Sequence, residues 1–133
     1  MERQKEILAR TLYGEARGEG PEGMQAVANV IVNRARLGGW WGDSIETVCK
    51  KRFQFSLWND LSDPNTVKTL QATPADPAYA QALDIAGRAI DGTLPDITGG
   101  ATHYHADWVN PEWANPQYMT AQIGRHSFYE GIA

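Results

Sequence analysis

The hydrophobic positions in the first part of the chain repeat at the spacing of an α-helix. Leu8, Leu12 and Ala16 are four residues apart, so they form one stripe of a helix that we predict over residues 3–17. Glu15 lies on this mostly apolar stripe. The next six residues contain three glycines and one proline, and such a segment should end the helix.

Four further segments of the first two thirds of the chain have helical patterns. Apolar residues recur over residues 21–36 on a wide surface, which predicts a central buried helix. Residues 43–50 are typical of a short capped helix, residues 66–71 of a weak helical piece, and residues 77–91 of a clear helix that Gly92 closes. We expect small and aliphatic residues to form the buried face of this last helix: Ala80, Leu83, Ala86, Gly87 and Ile90.

Beyond Gly92 the pattern changes to short alternating segments among glycines, prolines and aromatic residues. Residues 101–106 are predicted to be a strand, with His103 and His105 on one face and Tyr104 on the other. Residues 120–129 are predicted to form a second strand that turns at its glycine. The expected architecture is therefore α+β, a mainly helical body with a small β-hairpin or sheet.

Composition narrows the class of protein. A chain of 133 residues, 42% of them hydrophobic, fits a single domain over residues 1–133. The net charge of −4 argues against nucleic acid as a partner, and no apolar run is long enough for a membrane span. The single cysteine, Cys49, excludes an internal disulfide framework and is expected to be a small buried hydrophobe. The charged N-terminus lacks the pattern of a signal peptide, so we expect synthesis in the cytosol or excision from a longer exported protein.

Glu15 is the residue whose position points most directly to chemistry. An ionised carboxylate on the apolar stripe of a core helix costs free energy, so we predict that the pKa of Glu15 is raised. A carboxyl that stays protonated near neutral pH can serve as a general acid, as in lysozyme. Glu19 is a candidate second acid, with capping of the following helix as its alternative role. Asp60 and Asp107 are further candidates for a carboxylate opposite Glu15.

Two other groups of residues suggest contact with a ligand. Residues 53–59 alternate aromatic and polar side chains, and sugars need both kinds of surface, so Gln54, Ser56 and Trp58 are predicted to bind substrate. His103 and His105 form a His-x-His pair, which can bind a metal if a third ligand such as His126 joins it. We favour a non-metal role, in which the pair hydrogen-bonds to loop backbone or in which His105, with Tyr104, lines a substrate groove.

Several blocks of the sequence, in the correct order, strongly resemble the SleB/CwlJ-like cell wall hydrolases. The first block contains Tyr13-Gly14-Glu15-Ala16, and the blocks together are residues 9–19, 23–34, 54–58, 100–105 and 123–129. The resemblance implies a lysozyme-like fold that cleaves the β-1,4 bond between N-acetylmuramic acid and N-acetylglucosamine. It also implies a lytic transglycosylase with one catalytic glutamate, here Glu15, that works as a monomer on peptidoglycan glycan strands without a cofactor.

Three alternatives remain open at this stage. A hydrolytic muramidase would use Glu19, Asp60 or Asp107 as a second carboxylate. A metal-dependent wall peptidase or amidase would use His103, His105 and His126. A peptidoglycan-binding component of a phage particle would need no catalytic residue. A bare catalytic domain also suits a phage or prophage lysis enzyme, or a fragment of an exported protein.

Overall fold

A computed structural model describes residues 2–51 and 62–132 of the chain. Five helices are described: α1 (Glu2–Ala16), α2 (Gly20–Leu37), α3 (Ile45–Lys50), α4 (Pro64–Gln71) and α5 (Pro77–Asp91). Three strands follow: β1 (His103–Ala106), β2 (Met119–Ile123) and β3 (His126–Tyr129). Short 3-10 turns occupy Arg17–Glu19 and Pro116–Tyr118. The extended segment predicted over residues 53–59 lies outside the described residues.

The helix boundaries follow the local capping chemistry. Ser44 caps α3 through a reciprocal capping box with Thr47. The carboxylate of Asp63 accepts backbone N–H bonds at the start of α4, and that of Asp76 does so at the start of α5. Gly92 ends α5 in the left-handed conformation. These caps explain why the predicted bounds of α3 and α5 agree closely with the structure.

The core is built by the packing of α1, α2 and α5 on one another. Ten residues of α2 are buried, which confirms its prediction as the central helix. Leu8 and Leu12 of α1 are buried against it, as the stripe predicts. Cys49 of α3 is also buried, and desolvation raises the pKa of its thiol to about 12, so this cysteine is the inert core residue that the sequence predicts.

The predicted buried face of α5 is right in part: Ala86 is buried, and Leu83 and Ile90 pack partly buried against the core. Ala80 is exposed. The residues that α5 buries are Tyr79, Ala82, Ile85, Ala86 and Ala89. The Tyr79 ring meets the Tyr13 ring edge-on at 5.8 Å, and burial of this large aromatic surface shifts the centre of the buried face towards Tyr79.

The sheet is antiparallel with the strand order β1-β3-β2. The segment predicted as one turned strand over residues 120–129 is a hairpin of two strands, because Gly124 turns the chain at a φ of 58°. Phe128 of β3 is buried with Ala26 and Val30 of α2, which fastens the sheet to the helical body. The α+β prediction of a helical body with a small sheet is confirmed. Among the described helices, none is long and apolar enough to cross a bilayer.

Candidate active site

Glu15 lies at the C-terminal end of α1, one residue before the helix gives way to the 3-10 turn. Glu15 is half-buried, between the helical core and the surface. Such a residue is neither fully exposed to solvent nor sealed in the core. A proton donor to an external substrate needs this kind of placement.

The last turn of α1, which carries Glu15, and the residue that follows it are hydrogen-bonded to the beginnings of α4 and α5. The Tyr13 hydroxyl donates a 2.6 Å hydrogen bond to Asp76, the cap of α5. The Arg17 guanidinium donates to Asn65 Oδ1 at 2.5 Å, and Asn65 Nδ2 donates to the Gly14 carbonyl at 3.5 Å. These contacts flank Glu15 in sequence on both sides, so they limit the movement of its backbone.

Tyr104 of β1 is close enough to Glu15 for the carboxylate to influence its phenol electrostatically. Desolvation raises the pKa of the Tyr104 phenol, the negative charge of Glu15 raises it further, and the Arg34 guanidinium opposes both effects. Arg34 is itself buried, and its Nε donates to the Thr102 carbonyl at 2.7 Å. The phenol therefore stays protonated beside the carboxyl. The structure thus brings together two residues that the sequence predicts for the site.

Glu19 faces the turn between β2 and β3 instead of capping α2. It occupies the N-cap position, but its side chain makes no capping hydrogen bond, so the capping interpretation is wrong for the carboxylate. Oε2 accepts a 2.8 Å hydrogen bond from Arg125 Nη2, and Oε1 accepts from the Arg125 backbone N–H at 3.3 Å. His126 Nδ1 lies 3.5 Å from Oε1. Arg125 lowers the pKa of Glu19 against the opposing effect of desolvation.

This ion pair makes a pH-dependent contribution to stability. Because the folded-state pKa of Glu19 is lowered, its contribution is present above the ordinary glutamate pKa of about 4.3 and is lost as pH falls through the lowered value. We expect Glu19→Gln to reduce the free energy of unfolding at pH 7 by up to about 1 kcal/mol. The difference between the two proteins should shrink below about pH 4, which urea unfolding at several pH values would measure.

His126 and Arg125 are the described groups that titrate or carry charge against Glu19. Desolvation lowers the pKa of His126, so its ring is neutral at pH 7 and gains its charge only at more acidic pH. A stability difference between wild type and Glu19→Gln that is as large at pH 3 as at pH 7 would contradict the ion-pair account.

The two histidines of β1 lie on the opposite face of the sheet from Tyr104. Both of their rings contact Trp113, at 5.0 Å from His103 and 5.8 Å from His105, which confirms the predicted sharing of a face. His105 Nδ1 donates to the Ala106 carbonyl at 2.7 Å, so Nε2 accepts from the Tyr129 hydroxyl at 2.8 Å. Desolvation lowers the pKa of His103 to about 4.

Residues 2–51 and 62–132, which the structure describes, contain no ligand set for a metal ion. No three His, Cys, Asp or Glu side chains there are grouped so that they would hold an ion. His126 lies beside Tyr104, with ring centroids 5.4 Å apart, and so belongs to the other side of the sheet from His103 and His105. The three histidines of the peptidase alternative are therefore divided between two faces.

Residues 18–129 match the model of the Cell Wall Hydrolase family. The chain belongs to the cell wall hydrolase family. The resemblance seen in the sequence blocks is thereby confirmed. The match begins three residues after Glu15, so the role of this glutamate rests on the resemblance of its own block and on its position in the fold.

Solved structures and a curated relative agree with this family. The catalytic domain of the germination-specific lytic transglycosylase SleB from Bacillus anthracis superposes with a TM-score of 0.71 at 27% identity, covering 98% of this chain and 96% of that one. The Bacillus cereus SleB catalytic domain gives a TM-score of 0.70 at 27% identity, with 98% and 91% covered. The spore cortex-lytic enzyme of Halalkalibacterium halodurans is 32% identical over 124 residues, 92% of this chain. The chain spans 33% of that relative's length.

Within this cell wall hydrolase the structure leaves some predicted site residues untested and adds others. Gln54, Ser56, Trp58 and Asp60 lie outside the described residues, so their roles stay predictions. Asp107 is exposed, and its backbone N–H donates to the Arg125 carbonyl. Sequence reasoning missed Asn65 as an anchor of the Glu15 turn and Arg125 as the partner of Glu19. Arg125 does lie in the last resembling block, next to His126, which was the available signal.

Proposed function

We propose that this chain cleaves the glycan strand of peptidoglycan at the β-1,4 bond after N-acetylmuramic acid, as a lytic transglycosylase with Glu15 as its catalytic acid and base. The observation that carries the proposal is the placement of Glu15, half-buried at the end of α1 beside the desolvated Tyr104 phenol. The similarity to a SleB domain that is described as a lytic transglycosylase supports the same chemistry.

Bond cleavage begins with a proton transfer from Glu15. The protonated carboxyl donates to the glycosidic oxygen while the bond from that oxygen to C1 of the muramic acid ring breaks. The leaving sugar departs with a hydroxyl group. Positive charge builds on the ring. The carboxylate left on Glu15 stabilises this positive charge, and the interaction is strong because the site is sheltered from water.

The second step uses the same carboxylate as a base. It removes the proton from the C6 hydroxyl of the muramic acid residue, and the oxygen forms a new bond to C1. The product is a 1,6-anhydro end, Glu15 regains its proton, and water is not consumed. The nucleophile is part of the substrate and is already close to C1, so the reaction needs no second carboxylate to activate water.

The position of Glu19 supports the transglycosylase over the hydrolytic alternative. Both of its carboxylate oxygens accept hydrogen bonds from Arg125. Arg125 lowers the pKa of Glu19, so this carboxylate is a weaker base for activating a water molecule than an unpaired glutamate would be. In this proposal Glu19 is a structural residue next to the catalytic one.

Digestion of purified sacculi tests the proposal, with soluble products identified by mass spectrometry. We expect fragments whose stem peptides are intact and whose muramic acid ends are lighter by one water than reducing ends. Products cut only within the peptide stems would indicate a peptidase or amidase. Binding to sacculi without any soluble product would indicate a wall-binding module. Either result would contradict the proposed function.

A further inference from the structure

An exposed tryptophan, Trp108, lies just beyond the end of β1 and next to the turn between β2 and β3. Trp108 is 68% exposed, although a large aromatic side chain gains most from burial. The guanidinium of Arg125 lies over the indole, 5.4 Å from the ring centroid. This cation-π contact holds the indole while leaving most of its surface available to a ligand.

Arg125 is held in place from two directions. Its Nη2 donates to Glu19 at 2.8 Å, and its carbonyl accepts the Asp107 backbone N–H at 2.8 Å. The Glu19 side chain is 10% exposed, whereas the Arg125 side chain is 62% exposed. A guanidinium carries five N–H donors, so donors remain for an external acceptor after the contacts with Glu19 are made.

A series of interactions connects this surface to the proposed catalytic residue. Glu15 acts on Tyr104, and the Tyr104 ring meets the His126 ring edge-on at 5.4 Å. His126 contacts Glu19, which binds Arg125. The exposed pair is thus connected to Glu15 through three intervening residues: Tyr104, His126 and Glu19.

We propose that Trp108 and Arg125 form a distal subsite for the peptidoglycan strand, where a sugar ring stacks on the indole and a stem-peptide carboxylate binds the guanidinium. The inference rests on the proposed function and names where the strand continues beyond the cleaved bond. Sugars present apolar C–H faces that pack on aromatic rings. Stem peptides carry carboxylates, which match the planar donors of arginine in a bidentate pair.

Binding to sacculi by catalytically disabled proteins tests the tryptophan. In a Glu15→Gln background, which prevents digestion of the ligand, we expect Trp108→Ala to weaken binding to purified sacculi about tenfold. Trp40→Ala is the matched control, because Trp40 is similarly exposed at 59% and lies beyond the end of α2. Equal binding by the Trp108→Ala variant and its parent would overturn the subsite.

The proposed contact between Arg125 and a stem-peptide carboxylate is tested by comparing strands with and without stem peptides. Arg125→Gln should lose the preference for peptide-bearing strands over strands stripped of their stem peptides, while Arg3→Gln, at an exposed ion pair with Glu46, should keep it. Arg125→Lys retains a positive charge next to Glu19 but lacks the planar donors of arginine. Comparing it with Arg125→Gln therefore separates the loss of the ion pair from the loss of the planar donors. If Arg125→Gln weakens binding to both kinds of strand equally, its effect is structural and the carboxylate contact is refuted.

The failure of this inference differs from a failure of the proposed function. Sacculi that wild-type protein leaves undigested contradict the cleavage reaction, whatever the binding data show. Sacculi that wild type digests, together with unchanged binding by the Trp108 and Arg125 variants, contradict the subsite alone.

Discussion

Glu15→Gln is expected to lower the rate of sacculus digestion at least about a hundredfold, the low end of what general acid and base catalysis contributes. The amide has nearly the same shape as the carboxyl, so the half-buried setting next to Tyr104 should be retained. It can neither protonate the glycosidic oxygen nor accept the C6 proton. Both proposed steps therefore lose their catalyst, and the initial rate of clearing of a sacculus suspension measures the loss.

Glu6→Gln provides the matched control on the same helix. Glu6 lies earlier in α1, where its exposed carboxylate pairs with Arg10 at 3.2 Å. The substitution makes the same change of charge at a site away from the proposed chemistry, so digestion should be unchanged. Comparable thermal unfolding of both variants would confirm that they are folded. Near wild-type digestion by the Glu15→Gln protein would refute the assignment of Glu15.

Phe128→Ala is expected to lower the free energy of unfolding by about 3–5 kcal/mol, the range for truncating a buried phenylalanine. Phe128 is buried among Ala26, Val30 and Ala101, and it is the side chain through which β3 contacts α2. Its ring also stacks on Tyr104 at 5.5 Å. The cavity would thus lie between the sheet and the helices, directly behind the phenol that neighbours Glu15.

Urea unfolding followed by circular dichroism measures this loss, and Phe128→Leu is the control. Leucine keeps an apolar side chain at the site and should cost less than alanine, because the remaining cavity is smaller. A loss below about 1 kcal/mol for Phe128→Ala would contradict the view that this residue fastens the sheet to the helical body.

The helices and their ends were predictable because their signals are local. Asp76, Pro77 and Gly92 mark the beginning and end of α5 within the sequence itself. The buried face of α5 was not predictable in the same way. It depends on the contact between Tyr79 and Tyr13, two residues from different helices, and the predicted stripe of small and aliphatic residues gave no signal of this tertiary contact.

The same distinction between local and distant contacts determines which residues of the site could be predicted from the sequence. Glu15 could be selected from the stripe of its own helix and from the resemblance of its block. Arg125 could not be predicted as the partner of Glu19, because the two residues are 106 positions apart and no periodicity connects them. Tyr104 was predicted as a groove residue from its block, but its place beside Glu15 follows from the register of β1 on β3.

Digestion of purified sacculi in water enriched in oxygen-18 tests the central claim most directly, because it shows where the new bond to C1 obtains its oxygen. The account predicts 1,6-anhydro ends that contain no label, since the C6 oxygen of the substrate is the nucleophile. New reducing ends that each carry one labelled oxygen would show that water attacks. That result would contradict a reaction completed by Glu15 and the substrate's own hydroxyl.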